Sequence, residues 1–442
     1  MSPESQRGKT VSVAGPGTPA IVMNMYYTGL GIARSLGERG IPVIGLTASR
    51  GIYGKFTRYA RTLLCPDSRT EPEKLLPFVV DLLKQCERRA VLFPTRDDDL
   101  VFLDRYRNEL EPYASIVAPD SSALTTCLDK FQTFLAAERA GVAAPRCWMV
   151  GDSGDIERIA GQVSYPCVLK PVSSHQWRQG NNWKLVGARK AIEIFSAEEL
   201  AAEYRTIARA EKCAVVQELV PGGDDCLVVE ACYMDRNFER AAGFQAQKLA
   251  QEPEGFGTGC IVQSVSRPEL VEPTRRLLQS LQFTGVAEVE YKRDPGTGEY
   301  KLIEINPRPW DQHRLGNACG VDLVYIAYCE HAGLALPSPS KAVPGHKWIA
   351  DDTFMVMMLR LAWRRSPRLR RYFHLARGKR LFAIWSLRDP LPMLVWFFSR
   401  FIWDLMVACV HWVSDRLKRP QQPFPNDLAA KEGGVYGGRL ES

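Results

Sequence analysis

In the first quarter of the chain, short apolar segments alternate with segments whose apolar residues have helical spacing. Thr10–Ala14, Ile41–Thr47 and Ala90–Pro94 are apolar segments of strand length. Thr28–Arg39 shows the spacing of an amphipathic helix that stops at Gly40. The order strand, helix, strand is typical of a parallel sheet covered by helices. The sequence between the first strand and the helix contains no G-x-G-x-x-G motif, so we do not predict a dinucleotide site there.

The middle of the chain alternates apolar with polar residues over longer stretches, which predicts strands that pair in antiparallel fashion. The clearest case is a hairpin of Val286–Lys292 and Tyr300–Ile305, joined by a turn rich in Gly and Pro. An amphipathic helix is predicted at Arg267–Gln282, before this hairpin. Further strands are predicted at Tyr165–Pro171, Ala188–Phe195, Ala214–Val220, Leu227–Met234 and Ala241–Leu249.

The polar positions of this hairpin are mostly acidic. Because alternate side chains of a strand share one face, Glu288 and Glu290 point the same way, and so do Glu304 and Asn306 on the second strand. If the strands pair, three carboxylates and one amide meet on one surface. Such hard oxygen ligands suit Mg²⁺ together with substrate phosphates, and Arg308 is placed to neutralise an anion beside them. The alternative is an acidic stripe that faces solvent.

Glu290 and the segment Glu304-Ile305-Asn306-Pro307-Arg308 resemble the metal-binding signature of the ATP-grasp superfamily. The resemblance is to its carboxylate–amine ligase-like members, the group of carbamoyl-phosphate synthase, biotin carboxylase and D-aspartate ligase. In that family the two acidic residues and the Asn hold two Mg²⁺ ions, with Mn²⁺ as an alternative, that bridge the ATP phosphates. The Arg contacts the transferred phosphoryl group or the acyl phosphate.

The resemblance also implies residues that bind the ATP phosphates. Lys130, at the start of a helix, and Lys170, at the end of a strand, match the two phosphate-binding lysines of the family. The loop after Lys170 should cover the phosphates. It departs from the Gly-rich pattern of the family, so we expect Ser173 and Ser174 to supply hydroxyl donors in place of backbone groups. His175 is either a further donor or a polar loop residue.

The hinge between lid and core is expected at the strand Ala214–Val220. By resemblance, Gln217, Glu218 and Val220 would meet the adenine. Asp224 would bind the ribose hydroxyls, with Asp225 as the alternative. Without the resemblance, the segment reads as a buried strand followed by a turn.

Other residues are candidates for the reacting groups. The family pattern places Lys248 near the transferred phosphate or the acyl group, and Arg314 in a loop that faces the substrate, where it would bind a carboxylate. Asp97, Asp98 and Asp99 follow a strand and favour the start of a helix, since carboxylates stabilise that end. The second interpretation places them at the mouth of the substrate site.

Composition restricts the class of protein without identifying it. The chain has 442 residues, of which 45% are hydrophobic and 24% charged, which is typical of a globular protein with two to four domains. The 12 cysteines include no C-x-x-C pair, which favours a reducing compartment over a disulfide scaffold or zinc site. Met1–Lys9 is polar, so we expect no signal peptide and a cytoplasmic location.

The carboxy-terminal region combines basic and aromatic residues. Residues 360–380 are strongly basic, and Leu391–Val413 is apolar apart from Arg400 and Asp404. This pattern favours helices that contact the inner surface of a membrane through residues 360–413. The alternatives are a membrane-spanning helix, a buried helical subdomain or a homodimer interface. The charge accompanies no known nucleic-acid-binding motif, so we predict no nucleic-acid partner.

Together these observations predict an α/β protein. Residues 1–125 form a Rossmann-like pre-ATP-grasp domain, and residues 126–333 form an ATP-grasp domain with a lid at about 145–216. Residues 334–419 are a helical extension and 420–442 a disordered tail. The resemblance implies a Mg²⁺-dependent ligase that activates a small-molecule carboxylate as an acyl phosphate and transfers it to an amine. The alternatives are a carboxylase or carbamoyl-phosphate-type enzyme that uses bicarbonate, and a non-enzymatic ATP-binding scaffold at a membrane.

Overall fold

The computed structural model describes residues 17–173, 177, 182–187, 189–338 and 340–401. It has three sheets with helices packed on them, which confirms the predicted α/β class. The predicted strand Thr10–Ala14, the loop residues Ser174 and His175, and the tail 420–442 lie outside the described residues.

The amino-terminal sheet is parallel. Its three central strands are fully buried, mostly apolar runs, because helices cover both faces of such a sheet, whereas one edge strand is only partly buried. The strands of this sheet are β1 (Ala20–Met23), β2 (Val43–Thr47), β3 (Arg61–Leu64), β4 (Ala90–Phe93) and β5 (Ala114–Ile116), in the order β3-β2-β1-β4-β5. The helices are α1 (Tyr27–Gly37), α2 (Pro72–Lys84), α3 (Asp97–Arg105), α4 (Arg107–Leu110) and α5 (Ser121–Leu128), with a 3₁₀ turn at Tyr53–Phe56. The sequence prediction missed β1, β3 and β5, which are only three or four residues long.

A four-stranded antiparallel sheet occupies the segment predicted as the lid. Its strands are β6 (Cys147–Val150), β7 (Cys167–Pro171), β8 (Ile192–Ile194) and β9 (Ala214–Glu218), in the order β6-β9-β7-β8. The helices are α6 (Lys130–Arg139), which precedes the sheet, α7 (Ser153–Ala160), α8 (Asn182–Leu185) and α9 (Ala197–Ile207). The Ser196 hydroxyl accepts a hydrogen bond from the Glu199 amide, so Ser196 caps the amino terminus of α9.

The third sheet has seven strands and carries the predicted hairpin. Its strands are β10 (Leu227–Met234), β11 (Arg240–Glu252), β12 (Thr258–Val265), β13 (Gly285–Arg293), β14 (Tyr300–Asn306), β15 (Lys347–Ile349) and β16 (Arg380–Phe382). They are arranged in the order β14-β13-β10-β11-β12-β15-β16. The helices are α10 (Val271–Ser280), α11 (Arg314–Cys319), α12 (Leu323–His331), α13 (Asp351–Trp363) and α14 (Arg368–Leu375), with 3₁₀ turns at Asp224–Cys226 and Pro268–Leu270.

The region after residue 334 is not only the helical extension that the sequence suggested. β15 pairs with β12 in antiparallel fashion, and β16 pairs with β15 in parallel fashion, so both complete the seven-stranded sheet. Arg34 of α1 and Asp389 form an ion pair at 2.9 Å, and both side chains are buried. Residues 347–389 therefore form part of the same compact body as the amino-terminal sheet.

The chain divides into two compact units at residue 395. The last described helix, α15 (Leu391–Trp396), reaches this boundary, and Phe397–Phe401 forms a π-helical turn in the second unit. Within the described residues, no helix combines the length and the apolar character needed to cross a membrane. Most of the predicted apolar segment 391–413 lies outside the described residues, so membrane contact and dimer formation stay predictions.

Candidate active site

The main cavity of the described structure has a volume of about 570 Å³. It is lined by residues of the second and third sheets and by the loops and helix starts that follow strands of the amino-terminal sheet. Strand β7 contributes Lys170 and strand β11 contributes Lys248, while the hairpin supplies its acidic face. Of the predicted residues, the cavity wall contains Lys130, Lys170, Gln217, Val220, Lys248, Glu288, Glu290, Glu304, Asn306 and Arg308.

The hairpin pairs in the register that brings its polar residues together. Glu290 lies opposite Glu304, and Glu288 lies opposite Asn306. The Asn306 side-chain amide donates hydrogen bonds to Glu288 at 3.1 Å and to Glu304 at 3.2 Å. Glu288 and Glu290 are each only 6% exposed, so the face is not a solvent-exposed acidic stripe. Burial raises the pKa of Glu288 to about 8, and the neighbouring charge of Glu290 acts in the same direction.

Lys248 forms an ion pair with this acidic face. Its ammonium contacts Glu290, and both side chains are buried. Burial opposes the charge of Lys248, but Glu290 and Glu288 raise its pKa above the ordinary value. Burial likewise opposes the charge of Glu304, but Lys130, Lys248 and Lys170 together lower its pKa. The carboxylates of the hairpin and the lysines that line the cavity therefore lie close enough to shift the pKa values of one another.

The donor set fits a magnesium ion that enters with nucleotide. Among the described residues, no three acidic, imidazole or thiol side chains converge closely enough to hold a metal by themselves. Mg²⁺ is usually held by one or two carboxylates plus substrate phosphates, so a preformed cage is not required. Burial, together with the charges of Glu290 and Glu304, raises the pKa of Glu288, and a cation bound beside it would act in the opposite direction. Glu290, Glu304 and Asn306 are among the side chains with oxygen donors that line the cavity.

Lys170 lies at the carboxyl end of β7, where the strand meets the cavity. Its ammonium donates to the side-chain oxygen of Gln217 at 3.0 Å. Burial lowers the pKa of Lys170 to about 8, and the charge of Lys130 contributes to the decrease. Beside this pair the wall is apolar, formed by Val168, Leu219, Val220 and Leu227. These residues form an apolar slot in the same cavity as the buried cation Lys170. This arrangement suits a nucleotide, whose base is apolar on its faces and whose phosphates are anionic.

Two residues predicted to contact the nucleotide, Glu218 and Asp224, lie outside the wall of the cavity. Glu218 forms an ion pair with Arg146 at 2.6 Å. Asp224 accepts hydrogen bonds from the backbone amides of Gln251 at 2.9 Å and Gly255 at 3.1 Å, so it anchors the turn at Gly255.

Arg314 does not line the cavity, although the sequence analysis assigned it to the substrate by resemblance. Its guanidinium pairs with Glu38, the residue that follows α1, at 3.3 Å. Ser173 is placed closer to the expectation. It lines a small cavity that also contains Lys130, Glu304 and Asn306.

The three aspartates at the start of α3 have different surroundings. Asp99 is buried and accepts hydrogen bonds from the backbone amides of Thr95 and Arg96, which is the role of a helix-capping charge. Asp97 instead pairs with Arg308 at 2.7 Å and lines the cavity. Asp98 also lines the cavity, and burial raises its pKa. Asp99 therefore has the position of a helix-capping charge, whereas the role of Asp97 and Asp98 at a substrate site stays a prediction.

The structure adds lining residues that the sequence analysis missed. Lys190 and Lys292 contribute two further positive charges to the cavity wall, and Leu219 extends the apolar slot. Lys292 follows Glu288 and Glu290 at the same two-residue spacing, so strand periodicity was a usable signal for it. Lys190 precedes the three-residue strand β8, whose boundary the sequence prediction placed too early, and no comparable signal identified it.

No protein-family model matches the chain. It is 23% identical over 302 residues to the D-aspartate ligase of Enterococcus faecium, covering 65% of this chain and 69% of that one. It is 26% identical over 136 residues to the D-alanine–D-alanine ligase of Nitrosospira multiformis, covering 30% and 42%.

Solved structures agree with the fold. Biotin carboxylase of Campylobacter jejuni, solved as a β-γ-ATP complex, superimposes with a TM-score of 0.58 at 17% identity, covering 72% of each chain. The L-amino acid ligase of Bacillus licheniformis superimposes with a TM-score of 0.55 at 13% identity, covering 72% of this chain and 75% of that one.

Proposed function

We propose that the chain is a member of the ATP-grasp superfamily, and that it is a ligase that uses ATP to join a carboxylate to an amine. An oxygen of the substrate carboxylate attacks the γ-phosphorus, and the bond from that phosphorus to ADP breaks. The products of this step are an acyl phosphate and ADP. The amine then attacks the acyl carbon, a C–N bond forms, and phosphate leaves.

The pairing of the hairpin carries this proposal. Glu290 and Glu304 lie opposite each other on adjacent strands, and Lys170 and Lys248 face the same cavity. Acidic residues beside lysines in one buried cavity are suited to phosphoryl transfer, because the reaction needs positioning and charge neutralisation more than covalent help.

Each residue has a definite part in the proposal. Glu290, Glu304 and Asn306 would hold two Mg²⁺ ions, which neutralise charge on the phosphates. Lys130 and Lys170 would bind the nucleotide phosphates. The groups next to the transferred phosphoryl group would be Arg308 and Lys248, and the adenine would occupy the apolar slot beside Gln217 and Val220. The four-stranded sheet would act as the lid that excludes water from the acyl phosphate.

The test measures ADP and hydroxamate with hydroxylamine as the trapping amine. Wild type is incubated with ATP, Mg²⁺ and a panel of carboxylates that includes D-aspartate, D-alanine and bicarbonate. Glu304→Gln is compared with Glu299→Gln, which removes an exposed carboxylate from the turn of the same hairpin. We expect Glu304→Gln to lower carboxylate-dependent hydroxamate formation about 100-fold or more, whereas Glu299→Gln retains it. EDTA should abolish the reaction, and added Mg²⁺ or Mn²⁺ should restore it.

The outcomes separate the proposal from its alternatives. Hydroxamate from one carboxylate, lost in Glu304→Gln, supports the ligase. ADP release that depends on bicarbonate alone would favour carboxylase chemistry instead. Tight ATP binding with neither ADP nor hydroxamate would contradict an enzymatic role and favour an ATP-binding scaffold.

A further inference from the structure

The loop after the hairpin, residues 310–313, is held firmly on both sides of the cavity. The Thr28 hydroxyl, on α1, donates to Asp311 Oδ1 at 2.9 Å. The Gln312 side-chain amide donates to the Gly259 carbonyl at 3.0 Å. His313 Nε2 lies 3.1 Å from the Thr28 carbonyl oxygen, and burial lowers the pKa of His313 to about 4. The loop is therefore a fixed part of the wall.

Asp311 presents a carboxylate to the cavity that the surrounding protein only partly satisfies. Oδ1 accepts the hydrogen bond from Thr28, and among the described residues Oδ2 has no hydrogen-bond or ion-pair partner. Asp311 is half-buried and lines the cavity together with Thr28, Trp310 and Gln312. A half-buried carboxylate with one free oxygen is favourable only if a donor or a cation reaches it.

The other carboxylates of the cavity have closer neighbours. Glu290 is paired with Lys248, and Asp97 with Arg308. The Asn306 amide donates to both Glu288 and Glu304. The charges of Arg96 and Arg69 act on Asp98. Arg308 acts on Asp311 through space, but the two side chains form no ion pair.

The proposed ligase needs a place for its second substrate. ATP and its metal ions would occupy the part of the cavity lined by the lysines and the acidic hairpin. Thr28, Asp311 and Gln312 line the same cavity, and none of these three side chains is a cation. An acceptor amine is a cation in its resting ammonium form, and it must lose a proton before it can attack. A carboxylate with a free oxygen serves both needs.

We propose that Asp311 forms the subsite for the amino group of the acceptor, positioned by Thr28, and that it takes a proton from this group; this rests on the proposed function. The ammonium gives one proton to Asp311 Oδ2. The lone pair of the resulting amine attacks the acyl carbon, the C–N bond forms, and the bond from that carbon to the phosphate oxygen breaks. The leaving phosphate takes the electron pair and the second proton. The acceptor is therefore a primary amine, such as an amino acid.

Competition between two amines tests this subsite. Hydroxylamine is uncharged near neutral pH, so it reaches the acyl phosphate without needing a counter-charge. The reaction contains ATP, Mg²⁺, the carboxylate that gives hydroxamate, hydroxylamine, and one of D-alanine, D-aspartate, glycine or ammonium. Mass spectrometry measures amide and hydroxamate together. Their ratio separates use of the amine from carboxylate activation, and amide formation at varied amine concentration gives kcat and KM.

We expect Asp311→Asn to lower the amide-to-hydroxamate ratio at least about tenfold, with a higher KM for the amine. Thr28→Val should lower the ratio less, because it removes only the hydrogen bond that orients the carboxylate. Asp311→Glu keeps the charge and should retain more of the ratio than Asp311→Asn. The matched control is Asp81→Asn, on the exposed face of α2, which should leave the ratio unchanged.

Hydroxamate formation in each variant also shows that the variant is folded. A ratio in Asp311→Asn equal to that of wild type would overturn the subsite and leave the ligase proposal intact. So would wild-type hydroxamate with no amide from any of the four amines. Absence of hydroxamate from the wild type would refute the ligase proposal, and the subsite with it.

Discussion

The buried ion pair between Arg34 and Asp389 should contribute strongly to the thermal stability of the first compact unit, although neither residue belongs to the hairpin. Arg34 Nε donates to Asp389 Oδ2 at 2.9 Å, and the two side chains are 0% and 1% exposed. Asp389 also accepts from the Thr57 hydroxyl at 2.6 Å and from the Arg58 amide at 3.0 Å. The remaining Arg34 donors reach the carbonyls of Ala383, Ile384 and Asp389.

Asp389→Asn leaves Arg34 buried without its counter-charge. Breaking a buried pair in this way costs about 3–5 kcal/mol. With an unfolding entropy of about 2 cal/mol/K per residue over the first compact unit, this corresponds to a decrease of about 4–6 °C in Tm. The loss should be large because both partners lie in the interior, where the uncompensated guanidinium cannot be hydrated.

Thermal unfolding followed by circular dichroism measures this effect. Glu71→Gln is the matched control, since it also neutralises a carboxylate, in the exposed Lys74–Glu71 pair at 2.6 Å. Exposed pairs contribute about 0–1 kcal/mol, so the Tm of the control should fall by no more than about 1 °C. If Asp389→Asn melted within about 1 °C of wild type, the conclusion that residues 347–389 belong to the same cooperative body would be wrong.

Two further predictions concern the cavity. Burial lowers the pKa of Lys170 to about 8, so the positive charge that would bind phosphate is present below pH 8 and is lost above it. The affinity for ATP, measured in EDTA, should therefore fall about tenfold from pH 7 to pH 9. Lys170→Met should remove this dependence on pH. A pH-independent wild-type affinity would contradict the assignment of Lys170. Arg314 pairs with Glu38 outside the cavity wall, so Arg314→Ala should change the KM of either substrate less than about twofold in steady-state kinetics. A tenfold increase would restore Arg314 to the substrate site.

The sequence was most informative where local pattern alone determines position. The alternation along β13 and β14 predicted both strands within two residues and placed Glu290 and Glu304 on one face. In a hairpin the short turn links register to the sequence, and a slip of one residue would turn the acidic side chains into the core. The alternation of apolar and polar residues therefore predicted the acidic face that the hairpin contributes to the cavity.

The sequence analysis missed features that depend on contacts between residues distant in the chain. β15 and β16 have only three residues each, and their partners are distant in sequence, so no periodicity distinguished them from loops. Arg314 was assigned from its position after the hairpin, but α11 turns its side chain toward Glu38. Asp97 and Asp99 are two residues apart, and only the fold shows that one faces Arg308 while the other caps α3.

The Asp97–Arg308 pair and the Thr28–Asp311 hydrogen bond lead to one conclusion about how the cavity is assembled. Each joins the amino-terminal sheet to the segment that follows β14, at 2.7 Å and 2.9 Å respectively. Thr28 belongs to α1, and α1 is fixed from its other end by Arg34 and Asp389. A change at Asp389 would therefore act on Asp311 through one rigid helix. The carboxy-terminal segment thus supports the geometry of the acceptor wall, although it contributes no residue to that wall in the described part of the chain.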